Sequence, residues 1–80
     1  MNKEKYIRFE RQTRYHELRL CKDLFDDWVV TKINGSLTVN NLGKIRNDYK
    51  PTYDQAASRF EELVMIIKKK RYRCVLSKAS

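Results

Sequence analysis

Lysine and arginine are the most abundant charged side chains in this 80-residue chain, with 18 of them against 10 aspartates and glutamates. The formal net charge of +8 favours an anionic partner such as nucleic acid, an acidic protein surface or an anionic membrane. The densest basic run is Lys68 to Arg71, and Lys44 and Arg46 alternate along an earlier segment. Clustered cations bind phosphates without reading base sequence, so phosphate contact is the chemistry these positions suggest. The alternative for the basic run is a solvated helix end.

The remaining reactive residue types do not form a recognisable catalytic or metal-binding set. His16 is the only histidine and alternates with leucines, which favours a sheet position over a catalytic or ligating one. Cys21 and Cys74 lie far apart and in no C-x-x-C pair, so they are expected to be reduced core residues. The acidic segment 23–27 lacks the ligand spacing of a calcium loop and suggests a solvated turn. We expect no enzymatic activity, no cofactor and no bound metal.

The length and composition favour one folded domain spanning residues 1–80. A chain of this size buries only about 60 to 65% of its unfolded surface, which leaves little room for a deep pocket. No apolar run approaches the roughly 18 residues of a membrane span, and the charged N-terminus does not resemble a signal peptide. The expectation is a cytoplasmic monomer with no membrane partner.

The first half of the chain alternates as strands do. Lys5 to Arg11 has a period of two, Gln12 and Thr13 form a short connection, and a second alternating run follows to Leu20. These two segments predict a hairpin. A third strand begins at Trp28, in a run rich in β-branched residues.

A long helix is predicted after Pro51, which stops the preceding strand. Thr52 is a suitable N-cap, and Gln55 completes a capping box three residues later. A short strand from Tyr72 to Leu76 and a frayed end at Ser77 to Ser80 are expected after the helix. The fold class is therefore α+β, with an antiparallel sheet of four to five strands and one long C-terminal helix packed on it. The apolar helix face comprises Tyr53, Ala56, Ala57, Phe60, Leu63, Val64 and Ile67.

The corner formed by Asp23, Leu24 and Phe25 and followed by Trp28 resembles the D-L-F-G-x-W corner of the WGR domain. This small module occurs in poly(ADP-ribose) polymerases and in many short bacterial proteins. The similarity extends from about Ile7 to Tyr72 and includes the basic run closed by an aromatic residue. Asp26 replaces the usual glycine of the corner, and Thr38 replaces a later glycine.

The tripeptide Trp-Gly-Arg that names the family is altered in this chain. Counting six residues from Trp28 places Asn34, Gly35 and Ser36 at its positions, so only the glycine is retained. In the DNA-sensing members the tryptophan packs on a sugar and the arginine helps to contact phosphate. The substitutions therefore remove an aromatic platform and a fork-shaped donor.

Two structures are open for Asn34-Gly35. From the residues alone, this dipeptide is the strongest short signal for a type I′ hairpin turn. The resemblance instead implies a long bent strand that continues to about Val39. We favour the long strand, because Asn40 to Gly43 offers a better turn and leaves Gly43 to Tyr49 as a fourth strand.

Charge and resemblance together predict a non-catalytic nucleic-acid-binding accessory module that contacts phosphates through a basic surface, with DNA rather than RNA as its partner. The alternative is a protein–protein interaction module that docks on an acidic protein and has lost the family's recognition of DNA ends. The predicted nucleic-acid-binding residues are Lys32, Asn34, Gly35, Ser36, Lys44, Arg46, Lys68, Lys69, Lys70 and Arg71.

Overall fold

The fold consists of a five-stranded antiparallel sheet with one helix packed on one of its faces, in a computed structural model that describes residues 3–38 and 43–79. This confirms the predicted α+β class. The spatial order of the strands is β4-β3-β2-β1-β5. The elements are β1 (Lys5–Arg11), β2 (Arg14–Lys22), β3 (Trp28–Ser36), β4 (Lys44–Lys50), α1 (Tyr53–Lys69) and β5 (Arg73–Ala79).

Two tight connections join the first three strands. The predicted β1–β2 hairpin is confirmed and turns through Gln12, whose φ of 55° lies in the left-handed region. At the β2–β3 corner, Asp23 Oδ1 accepts hydrogen bonds from the backbone N–H groups of Phe25 and Asp27, both at 2.9 Å. Asp26 adopts a φ of 67°, which aspartate tolerates better than most residues. The acidic segment is therefore a turn whose carboxylate organises its backbone.

The long-strand interpretation of Asn34-Gly35 is confirmed, because β3 runs through both residues and pairs with β2 along its whole length. The strand ends at Ser36, and Val39 lies outside the described residues, as do residues 40–42 of the predicted turn. The fourth strand begins at Lys44 and ends at Lys50, one residue later at each end than predicted.

The helix packs on the middle of the sheet and closes the hydrophobic core. Thr52 is the N-cap as predicted, and its Oγ1 accepts a hydrogen bond from the backbone N–H of Gln55 at 3.2 Å. Trp28 packs edge-on against Tyr53, with ring centroids 5.0 Å apart, at the border of the core. No helix of the described part is long and apolar enough to cross a membrane. The buried cluster contains Phe9, Leu18, Leu20, Val30, Ala56, Phe60, Leu63, Val64 and Ile67.

The expectation of a frayed end from Ser77 onward is wrong for residues 77–79. The last strand continues to Ala79, with Ser77 opposite Ile7 and Ala79 opposite Lys5. Without this segment, the backbone N–H and C=O groups along one side of β1 would have no ladder partner, and pairing satisfies them. Ser80 lies outside the described residues.

The β3–β4 pair depends on two glycines that face each other at its end. A Cβ atom added at Gly43 would lie 1.7 Å from the carbonyl oxygen of Asn34 and 2.9 Å from the Cα of Gly35. Both contacts are with backbone, so the clash cannot be relieved by turning a side chain. The close approach of these strands requires glycine at position 43.

We expect Gly43→Ala to lower the free energy of unfolding by about 2 kcal/mol, because β4 must move away from β3 to admit the methyl group. Urea denaturation followed by Trp28 fluorescence measures the change. Ser58→Ala on the exposed helix surface is the control and should change stability by less than about 0.5 kcal/mol. Equal stabilities of the two variants would show that the strands separate here at no cost.

Candidate nucleic-acid interface

The helix-bearing face of the sheet carries most of the predicted phosphate-binding residues. Lys32 is paired with Leu18 of β2 and with Arg46 of β4, and directly paired residues point to the same face. Because Leu18 is buried under α1, Lys32 and Arg46 also lie on the helix side. The same alternation places Asn34 and Lys44 there, opposite each other in the β3–β4 ladder.

The C-terminal end of α1 brings Lys70 to this set of cations. Lys70 is the C-cap residue, and its backbone N–H donates to the carbonyl oxygen of buried Ile67. Arg11 Nη1 donates to the carbonyl oxygen of Lys70 at 3.0 Å, which ties the helix end to the edge of the β1–β2 hairpin. The end of the helix is therefore held against the sheet, close to Lys32.

The pKa of Lys32 shows how closely the cations approach one another. Burial lowers this pKa because the charged form loses hydration, and three neighbouring cations lower it further: Lys70, Arg46 and Arg59. Arg14 belongs to the same neighbourhood, since its charge lowers the pKa of His16 together with the charges of Lys32 and Lys70. We call Arg14, Lys32, Arg46, Arg59 and Lys70 the basic cluster.

The basic cluster has little carboxylate nearby to neutralise it. Arg59 Nε donates to Asp48 Oδ2 at 3.1 Å, and Arg59 Nη1 donates to Glu62. The other four members form no salt bridge with any carboxylate of residues 3–38 and 43–79. Their mutual repulsion is therefore not balanced within the described part of the protein.

On the opposite face of the sheet, Arg8 is paired with two carboxylates. Arg8 donates to Glu10 Oε2 at 3.0 Å and to Glu17 Oε1 at 3.1 Å, and its guanidinium lies 4.5 Å from the ring centroid of Tyr15. The Tyr6 hydroxyl donates a hydrogen bond to Glu17. Burial raises the pKa of Tyr6, and the Glu17 carboxylate raises it further. Arg8 is thus balanced by carboxylates, whereas four members of the basic cluster are not balanced within the described residues.

His16 lies in β2, as the sequence predicts, beneath the helix end. Its ring meets that of Tyr72 edge-on, with centroids 4.6 Å apart, and its buried Nδ1 has no hydrogen-bond partner among residues 3–38 and 43–79. Burial and, to a smaller extent, the nearby cations Lys32, Lys70 and Arg14 together lower the pKa of His16 from its ordinary value of 6.5 to about 4. The imidazole is neutral at pH 7 and adds no charge to the cluster.

The structure separates the basic run at the helix end. An α-helix advances about 100° per residue, so Lys69 lies about 100° and Lys68 about 200° around the helix axis from Lys70. Both are exposed, as is Arg71, which has a φ of 65° just beyond the helix. Of this run, only Lys70 is among the described cations that lower the pKa of Lys32.

The positions of the altered tripeptide are divided between the two faces. Asn34 and Ser36 share the helix side, where Ser36 lies opposite Arg14. Gly35 lies between them, and a Cβ there would point toward Tyr15, 3.0 Å from its ring and hydroxyl. Packing against Tyr15 therefore explains this glycine without any role in binding.

Sequence reasoning missed Arg14 and Arg59. Arg59 is eleven residues before Lys70, which is three helical turns, so a helical projection of the chain would have placed both on one side of α1. Arg14 could be found only from the register of β2 on β3, which the sequence leaves undetermined.

Comparison of the chain with models of known families, with curated protein sequences and with solved structures finds no match. The resemblance to WGR domains therefore stays a prediction. The geometry and charge of the basic cluster are the observations that bear on function.

We expect the protein to lose stability as the pH falls from about 6.5 to 4. The pKa of His16 is lower in the folded protein, so the unfolded chain takes up the proton first and is favoured by acid in this range. Thermal unfolding at a series of pH values measures the effect. His16→Leu should flatten the dependence in this interval, and an unchanged profile would contradict the assignment to His16.

Proposed function

We propose that the protein is a non-catalytic module that binds nucleic acid through its phosphate backbone. The basic cluster forms the centre of the contact, and Lys44 with the exposed cations Lys68, Lys69 and Arg71 extends it. The observation that carries the proposal is the convergence of β2, β3, β4 and the end of α1 on one surface where four of the five cluster cations have no carboxylate partner among residues 3–38 and 43–79. The resemblance to WGR domains favours DNA over RNA.

Polyanion binding is the physical complement of such a surface. Cations held close together repel one another, and phosphates that lie among them relieve the repulsion and release condensed counterions. Each phosphate neutralised on duplex DNA contributes about −0.9 to the slope of log K against log salt. Contact by four members of the cluster would therefore give a slope of about −3.6. Asn34 and Ser36 lie beside the cluster and can donate hydrogen bonds to phosphate oxygens.

Two neighbouring lysines at the helix end allow the same charge change to be made inside and outside the basic cluster. We expect Lys70→Glu to weaken binding of a labelled duplex by about tenfold and to reduce the salt slope by about one, because it removes a phosphate contact. Lys69→Glu makes the same charge change one residue away, but Lys69 lies outside the basic cluster, so this variant should weaken binding by a smaller factor. Fluorescence anisotropy at several salt concentrations measures both.

The control for this pair is Lys78→Glu on β5, whose strand position pairs with Tyr6 of the opposite face. It should leave the affinity within about twofold, because its charge lies far from the cluster and is screened by salt. Equal losses for the substitutions at positions 69, 70 and 78 would mean that net charge, rather than the cluster, determines binding. Absence of binding at low salt would overturn the proposal.

A protein–protein interaction module is the second candidate, and exposed apolar side chains near the β2–β3 corner favour it. Leu24 and Phe25 are 97% and 85% exposed, and Tyr49 of the neighbouring strand is 58% exposed. Apolar groups presented together in this way are common at protein contacts. Loss of a nuclease-resistant partner on changing Leu24 and Phe25 to serine, with nucleic-acid affinity unaltered, would support this candidate.

A further inference from the structure

A small cavity lies between α1 and the β3–β4 pair, within the area of the basic cluster. Its volume is about 190 Å³, which corresponds to the space of about six water molecules in the liquid. Apolar side chains from the sheet and the helix lie beneath polar ones at the rim. The lining residues that matter here are Val30, Lys32, Arg46, Asp48, Arg59 and Leu63.

Three cations enter this cavity from three different elements. Lys32 comes from β3, Arg46 from the paired position on β4, and Arg59 from the facing side of α1. We propose that the cavity is a discrete site for one phosphate group, held by Lys32, Arg46 and Arg59. A flat basic surface binds polyanions diffusely, whereas cations that converge on a cavity of this size can enclose a single tetrahedral oxyanion.

The charge of the lining fits a phosphate group. Three cations and the single carboxylate of Asp48 give a local excess of positive charge, to which the nearby Lys70 adds. Burial and the other cations lower the pKa of Lys32, so an anion placed among them would be stabilised by the same charges that now repel each other. The apolar floor formed by Val30 and Leu63 limits hydration and strengthens these interactions.

Asp48 has a positioning role in this site. It accepts a hydrogen bond from Arg59 Nε at 3.1 Å and lies 3.5 Å from Lys50 Nζ, which fixes the plane of the Arg59 guanidinium at the rim. A guanidinium has five N–H donors, and Arg59 uses two of them, for Asp48 and Glu62. It therefore keeps donors for a phosphate oxygen. The carboxylate of Asp48 also opposes the anion, so it tunes affinity downward.

The phosphate could belong to a nucleic-acid backbone or to free phosphate and phosphorylated small molecules. The inference rests on the proposed function for the first source only. Both sources present the same tetrahedral oxyanion, so the site itself can be tested with inorganic phosphate.

The test is a titration of the ¹⁵N-labelled protein with inorganic phosphate at constant ionic strength, followed by backbone amide shifts. We expect saturable shifts confined to the strands and helix around Lys32, Arg46 and Arg59. Lys32→Met should weaken phosphate binding by about tenfold, since it removes one charge-assisted contact and keeps the apolar stem. Arg59→Lys retains the charge but loses the fork and should also weaken binding, which guards against a folding defect in the first variant.

A second pair of variants, each of which removes one negative charge, tests for an increase in phosphate affinity. Asp48→Asn should strengthen phosphate binding, because it removes the opposing carboxylate, while Asp26→Asn at the exposed β2–β3 corner should leave it unchanged. Weaker binding by Asp48→Asn would contradict this prediction, because an anion held at the cavity must gain when the opposing carboxylate is removed. Identical binding by all these variants overturns the inference.

A second titration with a short oligonucleotide separates the two sources of phosphate. Shifts at the same residues, reversed by competing phosphate, assign the site to the nucleic-acid backbone. Saturable phosphate binding without oligonucleotide binding supports a site for a free or small phosphorylated ligand and overturns the proposed function. Oligonucleotide binding with only non-saturating phosphate shifts around Lys68 to Arg71 overturns the cavity site and leaves the proposed function standing.

Discussion

The packing of α1 across the centre of the sheet is the interaction on which the other features depend. Phe60 and Ile67 of the helix bury against Phe9, Leu18 and Val30 of the three central strands, and this contact supplies most of a small core. It also sets the position of the helix end above β2 and β3. A rotation of the helix by one residue would carry Lys70 and Arg59 away from Lys32, so the charge distribution is a consequence of apolar packing.

Packing of the apolar core therefore holds the cations close together, although their proximity does not stabilise the core. Burial and repulsion both raise the free energy of the charged form of Lys32, and the described carboxylates offset this only at Arg59. Strongly perturbed charged groups of this kind are concentrated at functional sites, although structural ion-pair networks produce them too. Arg8 on the opposite face shows that the same fold can balance a cation with two glutamates.

The sequence allowed the local structure to be predicted better than the arrangement of the charges. Period-two alternation located β1 at Lys5 to Arg11, and Thr52 with Pro51 located the helix start, because these signals depend only on neighbouring residues. The extent of β5 was missed, since the need of β1 for a second partner is visible only in the assembled sheet. For the same reason Arg14 and Arg59 were overlooked. Adjacent residues of a helix point in different directions, and residues far apart in the chain come together only through the packing of the helix and the pairing register of the strands.

The pairing of β1 with β5 joins the two ends of the described chain, with Lys5 opposite Ala79. This pairing closes a loop that contains nearly the whole sequence, and such non-local contacts make folding slow in relation to chain length. During synthesis, the first hairpin can form early, but its outer edge must wait for the last strand to be made. The sheet is thus completed only when translation of this segment ends, and until then β1 presents an open edge to which other chains can pair.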